Sequence, residues 1–152
     1  MTIIFLTGLS GVGKSSTLDE MKNRGYHTVD LDVDYMTVMN GDRLIDEVKL
    51  QKLIDEHEGE ALILAGTESN QGKFYKQFAA VILLTADLEV MLERIEDRTN
   101  NTYGKAPNER ANIIQNYEVI LPLLKRNTTQ IIDTSHRSIK AICDQLEDDY
   151  FD

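Results

Sequence analysis

The chain has 152 residues, of which 41% are hydrophobic and 28% charged, with a formal net charge of −10. That length suits one domain, able to bury about 70% of the surface its unfolded chain exposes. The acidic balance argues against a nucleic-acid partner, because duplex binding draws on several Lys/Arg–phosphate contacts. The longest apolar stretch, Ala79 to Ala86, is too short to span a bilayer, and a lone cysteine, Cys143, excludes an internal disulfide. With no signal peptide at the start, a cytoplasmic monomer or homodimer acting on a small molecule is expected.

The first predicted strand runs from Thr2 to Thr7 and contains the apolar run Ile3-Ile4-Phe5-Leu6. Gly8-Leu9-Ser10-Gly11-Val12-Gly13-Lys14-Ser15 follows it, and a helix is expected from about Lys14 to Asn23 with Leu18 and Met21 inward. This is G-x-x-x-x-G-K-[ST] in a strand–loop–helix setting, the P-loop signature of a phosphate cradle. Glycines at 8, 11 and 13 let the backbone curl so that successive N–H groups point inward, and the helix N-terminus adds to the field. Lys14 is suited to reach the β- and γ-phosphates of ATP, and the Ser15 hydroxyl to ligate Mg²⁺. The expected nucleotide contacts in this loop are Gly8, Ser10, Gly11, Val12, Gly13, Lys14, Ser15 and Ser16.

Arg24-Gly25 ends the helix. A second strand, Tyr26 to Leu31, closes on the acidic run Asp30-Leu31-Asp32-Val33-Asp34. After an unpatterned stretch to Gly41, a helix is predicted from an Asp42 N-cap to about His57, with Leu44, Ile45, Val48, Leu53 and Ile54 as its stripe and Gly59 as its stop. The third strand is Glu60 to Ala65, followed by the loop Gly66 to Gly72 and a helical turn over Lys73 to Gln77. The fourth strand is Ala80 to Leu84, and the next helix, Asp87 to Arg98, buries Leu88, Met91, Leu92 and Ile95. A polar segment, 99–106, leads to a helix that begins near Pro107, a residue suited to the first helical position, and is broken or kinked at Pro122. The fifth strand is Gln130 to Ile132, and a last helix runs from Ser138 to about Glu147. His27, His57 and His136 lack metal-ligand spacing and read as incidental. Cys143 reads as a small core residue.

Strands and helices alternate, and the third and fourth strands are continuously apolar. Both facts predict a parallel sheet covered by helices on each face. Ligands in such folds bind at the carboxyl ends of the strands. The Gly8–Ser15 loop, Asp30–Asp34, Gly66–Gly72 and Asp133-Thr134-Ser135 should therefore surround one crevice.

On these residues the chain resembles the small P-loop kinases of the shikimate kinase and adenylate kinase group. The likeness rests on Gly8–Ser15, on Asp30-Leu31-Asp32, on Arg94 and Arg98 before a polar segment, and on Ile131-Ile132-Asp133-Thr134. It implies a three-layer α/β/α P-loop NTPase fold with a five-stranded parallel sheet in the order 2-3-1-4-5 and a short lid, about 98–110. It also implies ATP as donor, Mg²⁺ as cofactor and phosphoryl transfer to a small hydroxyl-bearing molecule. In the family's terms Asp32 is the carboxylate near Mg²⁺ and the acceptor hydroxyl, with Asp30 and Asp34 as competitors. Arg94 and Arg98, one helical turn apart, match the pair that stacks on adenine and reaches the phosphates. The catalytic set so implied is Lys14, Asp32 and Arg98, and the metal ligands are Ser15 and Asp32.

Two features depart from that pattern. The third strand ends Leu64-Ala65-Gly66 with no aspartate, leaving Asp32 or Glu68 to supply any second carboxylate. In the lid, Arg110 is poorly spaced and Lys105 is the alternative cation. Between Asp34 and Gly59 the cations are only Arg43, Lys49 and Lys52, thin support for an acceptor phosphate and better suited to a neutral or weakly anionic acceptor. A nucleotide-binding regulatory module with little transfer activity is the second reading. A GTPase is third, since no Asn-Lys-x-Asp sequence is present.

Overall fold

Alternation along the first strand decides which side of the sheet each residue serves. In the computed structural model, which describes residues 2–57, 60–99 and 101–151, strand β1 is Ile3–Thr7 and every one of its residues is buried. Ile4 and Leu6 enter one core cluster while Ile3 and Phe5 enter another, as side chains of period two must when both faces are covered. The flanking strands are β2 (His27–Asp30), β5 (Leu62–Ala65), β6 (Ala80–Thr85) and β7 (Gln130–Asp133). They pair in parallel in the order β2-β5-β1-β6-β7. Two further strands among the described residues, β3 (Met36–Met39) and β4 (Asp42–Ile45), lie outside this sheet, so the order is the expected 2-3-1-4-5 once they are set aside.

Helices α1 (Lys14–Asn23), α4 (Leu88–Asp97), α5 (Pro107–Lys125) and α6 (Ile139–Tyr150) cover one face. Leu18, Met21, Met91, Ile95, Ile142 and Leu146 pack there against Ile4, Leu6, Ile82 and Leu84. Cys143 is fully buried on this face, and burial pushes its thiol up to about 11, as befits a core residue. The opposite face holds Leu31, Leu50, Ile54, Phe74 and Phe78, with Phe78 stacked on Phe5 at 5.3 Å between ring centroids.

The largest difference from expectation lies between residues 36 and 57. The predicted Asp42–His57 helix is two elements. Met36–Met39 (β3) and Asp42–Ile45 (β4) pair antiparallel, and only Glu47–Glu56 is helical (α3). The turn between the strands is Asn40-Gly41, both left-handed at φ 54° and 84°, the backbone of a type I′ hairpin. The N-cap is Asp46, whose side chain accepts from Lys49 N at 3.1 Å, in place of Asp42. The apolar stripe therefore merged strand and helix positions, so that Val48 is 81% exposed and Leu50 is buried.

Smaller differences have simple causes. The acidic run after β2 coils into one turn, α2 (Leu31–Asp34), because the Asp30 carboxylate caps it by accepting from Asp32 N at 3.0 Å. Pro122 lies inside α5 without ending it. Helix α6 runs three residues past its expected end at Glu147, to Tyr150, with Ser138 as N-cap. Gly59, expected to stop the helix before β5, lies outside the described residues, as does Asn100 in the polar segment after α4.

The loop after β5 is stitched to its surroundings by two buried amides. The Asn70 side chain accepts from Ile45 N at 3.1 Å and donates to Ile45 O at 2.9 Å and to Glu47 at 3.1 Å, tying β4 and α3 to this loop. Gln71 donates to Thr7 Oγ1 at 3.0 Å and accepts from Glu68 N at 2.9 Å, tying the loop to the end of β1. Asn70→Ala strands a buried donor and acceptor of Ile45. It should destabilise the protein by about 1–3 kcal/mol, measured by urea unfolding.

Candidate functional site

Of the segments expected at the carboxyl ends of the strands, the Gly8–Ser15 loop and Asp32 line one cleft, while Thr67 and Thr134 reach the loop from behind through hydrogen bonds. Gly8, Gly11 and Gly13 all take positive φ, and Gly13 precedes the first residue of α1. At Gly11 the requirement is steric as well, since a Cβ there would stand 2.7 Å from Met91 O. The loop therefore presses directly on α4. It is also braced from the β7 side: Thr134, fully buried, donates its hydroxyl to Val12 O at 2.7 Å. Arg94 donates to Thr134 Oγ1 at 3.0 Å and to Gly11 O at 3.3 Å.

A cleft of about 510 Å³ opens over this loop. Ser10, Gly11, Gly13, Lys14, Ser15, Ser16, Asp32, Arg94 and Arg98 line it, so most of the residues singled out in the sequence share one space. Gly8 and Val12 contribute backbone carbonyls beneath it, to Lys14 and Thr134 respectively. Reading the sequence missed Arg137, Ser138 and Ile139, which follow β7 and line the same cleft, with Ile139 Cδ1 3.5 Å from where a Cβ on Gly13 would stand. No motif marks them; only their place after a strand end could have pointed there.

Lys14 Nζ donates to Gly8 O at 2.7 Å and to the Thr67 hydroxyl. Thr67 in turn donates to Gly8 O at 2.7 Å. Thr67 stands one residue beyond Gly66, the residue after β5, where the kinase pattern would carry an aspartate and this chain has none. Burial lowers the Lys14 pKa, opposed by the charges of Asp32, Asp30 and Glu68 in that order. These acids crowd one another. Burial raises the Asp30 pKa, with the Asp32 charge adding to it, and the same two causes raise that of Glu68. Asp32 carries a second mark, because its Oδ1 is buried without a hydrogen-bond partner among the described residues. Its backbone is fixed independently, with N held by Asp30 and O accepting from Arg43 at 3.0 Å. Asp34 is exposed at the end of α2, and its carbonyl accepts from Lys49.

The crowding has a pH signature. The folded state holds the Glu68 proton more tightly than the unfolded chain, whose carboxyl titrates near 4.5. The contribution of this group to stability therefore falls as pH rises from about 4.5 through the raised folded value. Glu68→Gln should flatten that slope, by less than about 1 kcal/mol since the side chain is partly exposed, in urea unfolding followed between pH 4 and 7.

On the lid side, Arg98 donates to Asn101 O at 3.0 Å and to Tyr103 O at 2.6 Å, and Lys105 donates to Arg98 O at 2.6 Å. Gly104 is wedged between helices, where a Cβ would lie 2.6 Å from Ile113 Cδ1 and 2.8 Å from Ile95 Cγ2. Residues 107–110, counted with the lid in the sequence, belong to α5. Arg98 thus faces the cleft while organising the segment that follows it.

A parallel sheet in this order, with its phosphate cradle between β1 and α1 and covering helices on both faces, is the three-layer P-loop NTPase fold. A family model described as an AAA domain matches residues 4–115, and the chain belongs to that family. The fold is similar to that of the shikimate kinase from Acinetobacter baumannii solved with shikimate, with a TM-score of 0.70 and 19% identity over 96% of this chain and 90% of that one. It is also similar to a gluconokinase from Sinorhizobium meliloti 1021, with a TM-score of 0.61 and 18% identity over 95% and 88% of the two chains. A curated relative, a nucleotide-binding protein of Koribacter versatilis, is 30% identical over 146 residues, 92% of this chain and 46% of its own length. The chain spans about half the length of the curated relatives it matches. No helix among the described residues is long and apolar enough to cross a membrane.

Proposed function

We propose that the protein is a Mg²⁺–ATP-dependent phosphotransferase acting on a small hydroxyl-bearing molecule. The observation that carries this reading is Asp32, whose buried Oδ1 has no hydrogen-bond partner among the described residues and which lines the cleft that also holds Lys14 and Ser15. An orphaned carboxylate oxygen costs stability, and a metal ion or an acceptor hydroxyl would satisfy it. The hydroxyl of Ser15 and the carboxylate of Asp32 are an oxygen donor set of the kind Mg²⁺ takes. Ser15 and Asp32 would hold Mg²⁺, which would supply positive charge against the phosphoryl group in transfer.

The chain's own residues do the rest. The loop N–H groups and Lys14 bind and orient the polyphosphate, Arg94 and Arg98 bring positive charge to its outer side, and Asp32 accepts the proton of the acceptor hydroxyl. The named neighbours in fold are a shikimate kinase and a gluconokinase, and the acceptor side here has little positive charge to spare. Arg43 is engaged by Asp32 O at 3.0 Å and lies 3.8 Å from Glu68. A neutral hydroxyl compound suits this site better than a phosphorylated one.

A second reading, a nucleotide-binding regulatory module with weak or no transfer activity, is favoured by the curated relatives' description as nucleotide-binding proteins and by the absence of an aspartate where β5 ends at Leu64-Ala65-Gly66. ATP consumption measured against nucleosides, sugars, hydroxy acids and amino alcohols, each with a no-acceptor control, separates the two. Acceptor-dependent turnover supports the kinase; ATP binding with no acceptor raising consumption above background supports the module.

A further inference from the structure

The far end of the sheet from the P-loop gathers three residues that sequence spacing left apart. His27 opens β2, His57 follows α3, and Glu60 precedes β5, whose Leu62 lies opposite His27 in register. The two imidazole rings are in contact, 4.9 Å between centroids at an angle of 58°. Each of the three residues offers one ligand atom, and these atoms lie within 4.8 Å of one another.

We infer that His27, His57 and Glu60 form a Zn²⁺ site at the amino-terminal end of the sheet, with water completing a tetrahedral shell. His57 supplies the argument beyond proximity. It is 7% exposed, and its Nε2 is 3.3 Å from Ala61 O, a carbonyl that can only accept. An acceptor at Nε2 requires the proton there, which in the neutral ring leaves the lone pair on Nδ1. A ligating histidine commonly shows this pattern, one nitrogen free for the metal and the other fixed by a backbone carbonyl. Bonds of about 2.1 Å put tetrahedral ligand atoms roughly 3.4 Å apart, so the cluster must contract slightly on binding. His27 and Glu60 are both exposed and free to make that adjustment. Two imidazoles and one carboxylate suit Zn²⁺, whereas Mg²⁺ and Ca²⁺ take oxygen ligands. Strand β2 pairs with β5 alone in the sheet, so an ion at its start fastens an edge strand whose other end presents Asp30.

The test uses the full chain, stripped with a chelator and titrated with Zn²⁺ by calorimetry and by thermal unfolding. One equivalent should bind, and Tm should rise by about 5–10 °C at a hundred times Kd. His27→Asn and Glu60→Gln, both at exposed positions that leave the fold intact, should each weaken Zn²⁺ binding at least tenfold. Asp32→Asn should leave it unchanged, and excess Mg²⁺ should not compete. The inference is overturned if wild type binds no Zn²⁺, if both exposed variants bind it as wild type does, or if binding is lost with Asp32 instead.

Discussion

Asp32→Asn should cut acceptor-dependent turnover by at least about a hundredfold while leaving nucleotide-induced stabilisation nearly intact. Acid–base help in such a step is worth roughly 10² to 10⁴ in rate. The substitution keeps the shape of the side chain and removes its charge. It leaves the local fold alone, because the Asp30 cap holds Asp32 N and Arg43 holds Asp32 O, neither of them through the Asp32 side chain. Asp34→Asn is the internal comparison. Its side chain is exposed and does not line the main cleft, so its effect should be several times smaller. Steady-state kinetics with an identified acceptor decides the matter. Wild-type turnover by Asp32→Asn would remove Asp32 from the mechanism.

Lys14→Ala should abolish stabilisation by Mg²⁺–ATP. Ligand at a hundred times its dissociation constant adds about 2.7 kcal/mol to the wild-type fold, a rise of roughly 5–11 °C for a chain of this size. Lys14 is the one cation acting directly on Asp30, Asp32 and Glu68 from inside the loop, so its loss does more than delete a phosphate contact. Asp30 and Asp32 then repel an incoming triphosphate without Lys14 between them, while Glu68 keeps Arg43 3.8 Å away. Thermal melts with ATP and with GTP, for wild type and variant, provide the measurement. An equal shift for both proteins would show that the nucleotide sits elsewhere.

The P-loop, the sheet order and the meeting of Lys14, Ser15, Asp32, Arg94 and Arg98 at one cleft could be read from the sequence. These rest on local signals, glycine spacing and apolar runs, together with the family resemblance, which supplied the sheet order. The β3–β4 hairpin was misread because Leu44 and Ile45 sit at spacings that a helix stripe from 42 to 57 also accommodates. The Asn40-Gly41 turn signal was present but was read as the end of an unpatterned stretch. Thr67, Arg137 and the His27–His57 pair were not recognised for a different reason. Each acquires its meaning from a neighbour far along the chain, Gly8 for Thr67 and the α3–β5 connection for His27, and periodicity carries no information about such meetings.

The brace behind the cradle bears on how the site distinguishes its ligands. Val12 O and Gly11 O are held by Thr134 and Arg94, so the loop is shaped by the fold before anything enters it. A preformed cradle loses little conformational freedom on binding and takes up any polyphosphate of the right length. It contributes attraction without discrimination. On the proposed function, choice among bases would fall to side chains that line the cleft outside the loop, among them Arg137, Ser138 and Ile139, and choice among acceptors to the loop that Asn70 and Gln71 hold in place. Substitutions in those two regions should therefore change which molecules are accepted, and substitutions behind the loop should change how tightly all of them are held.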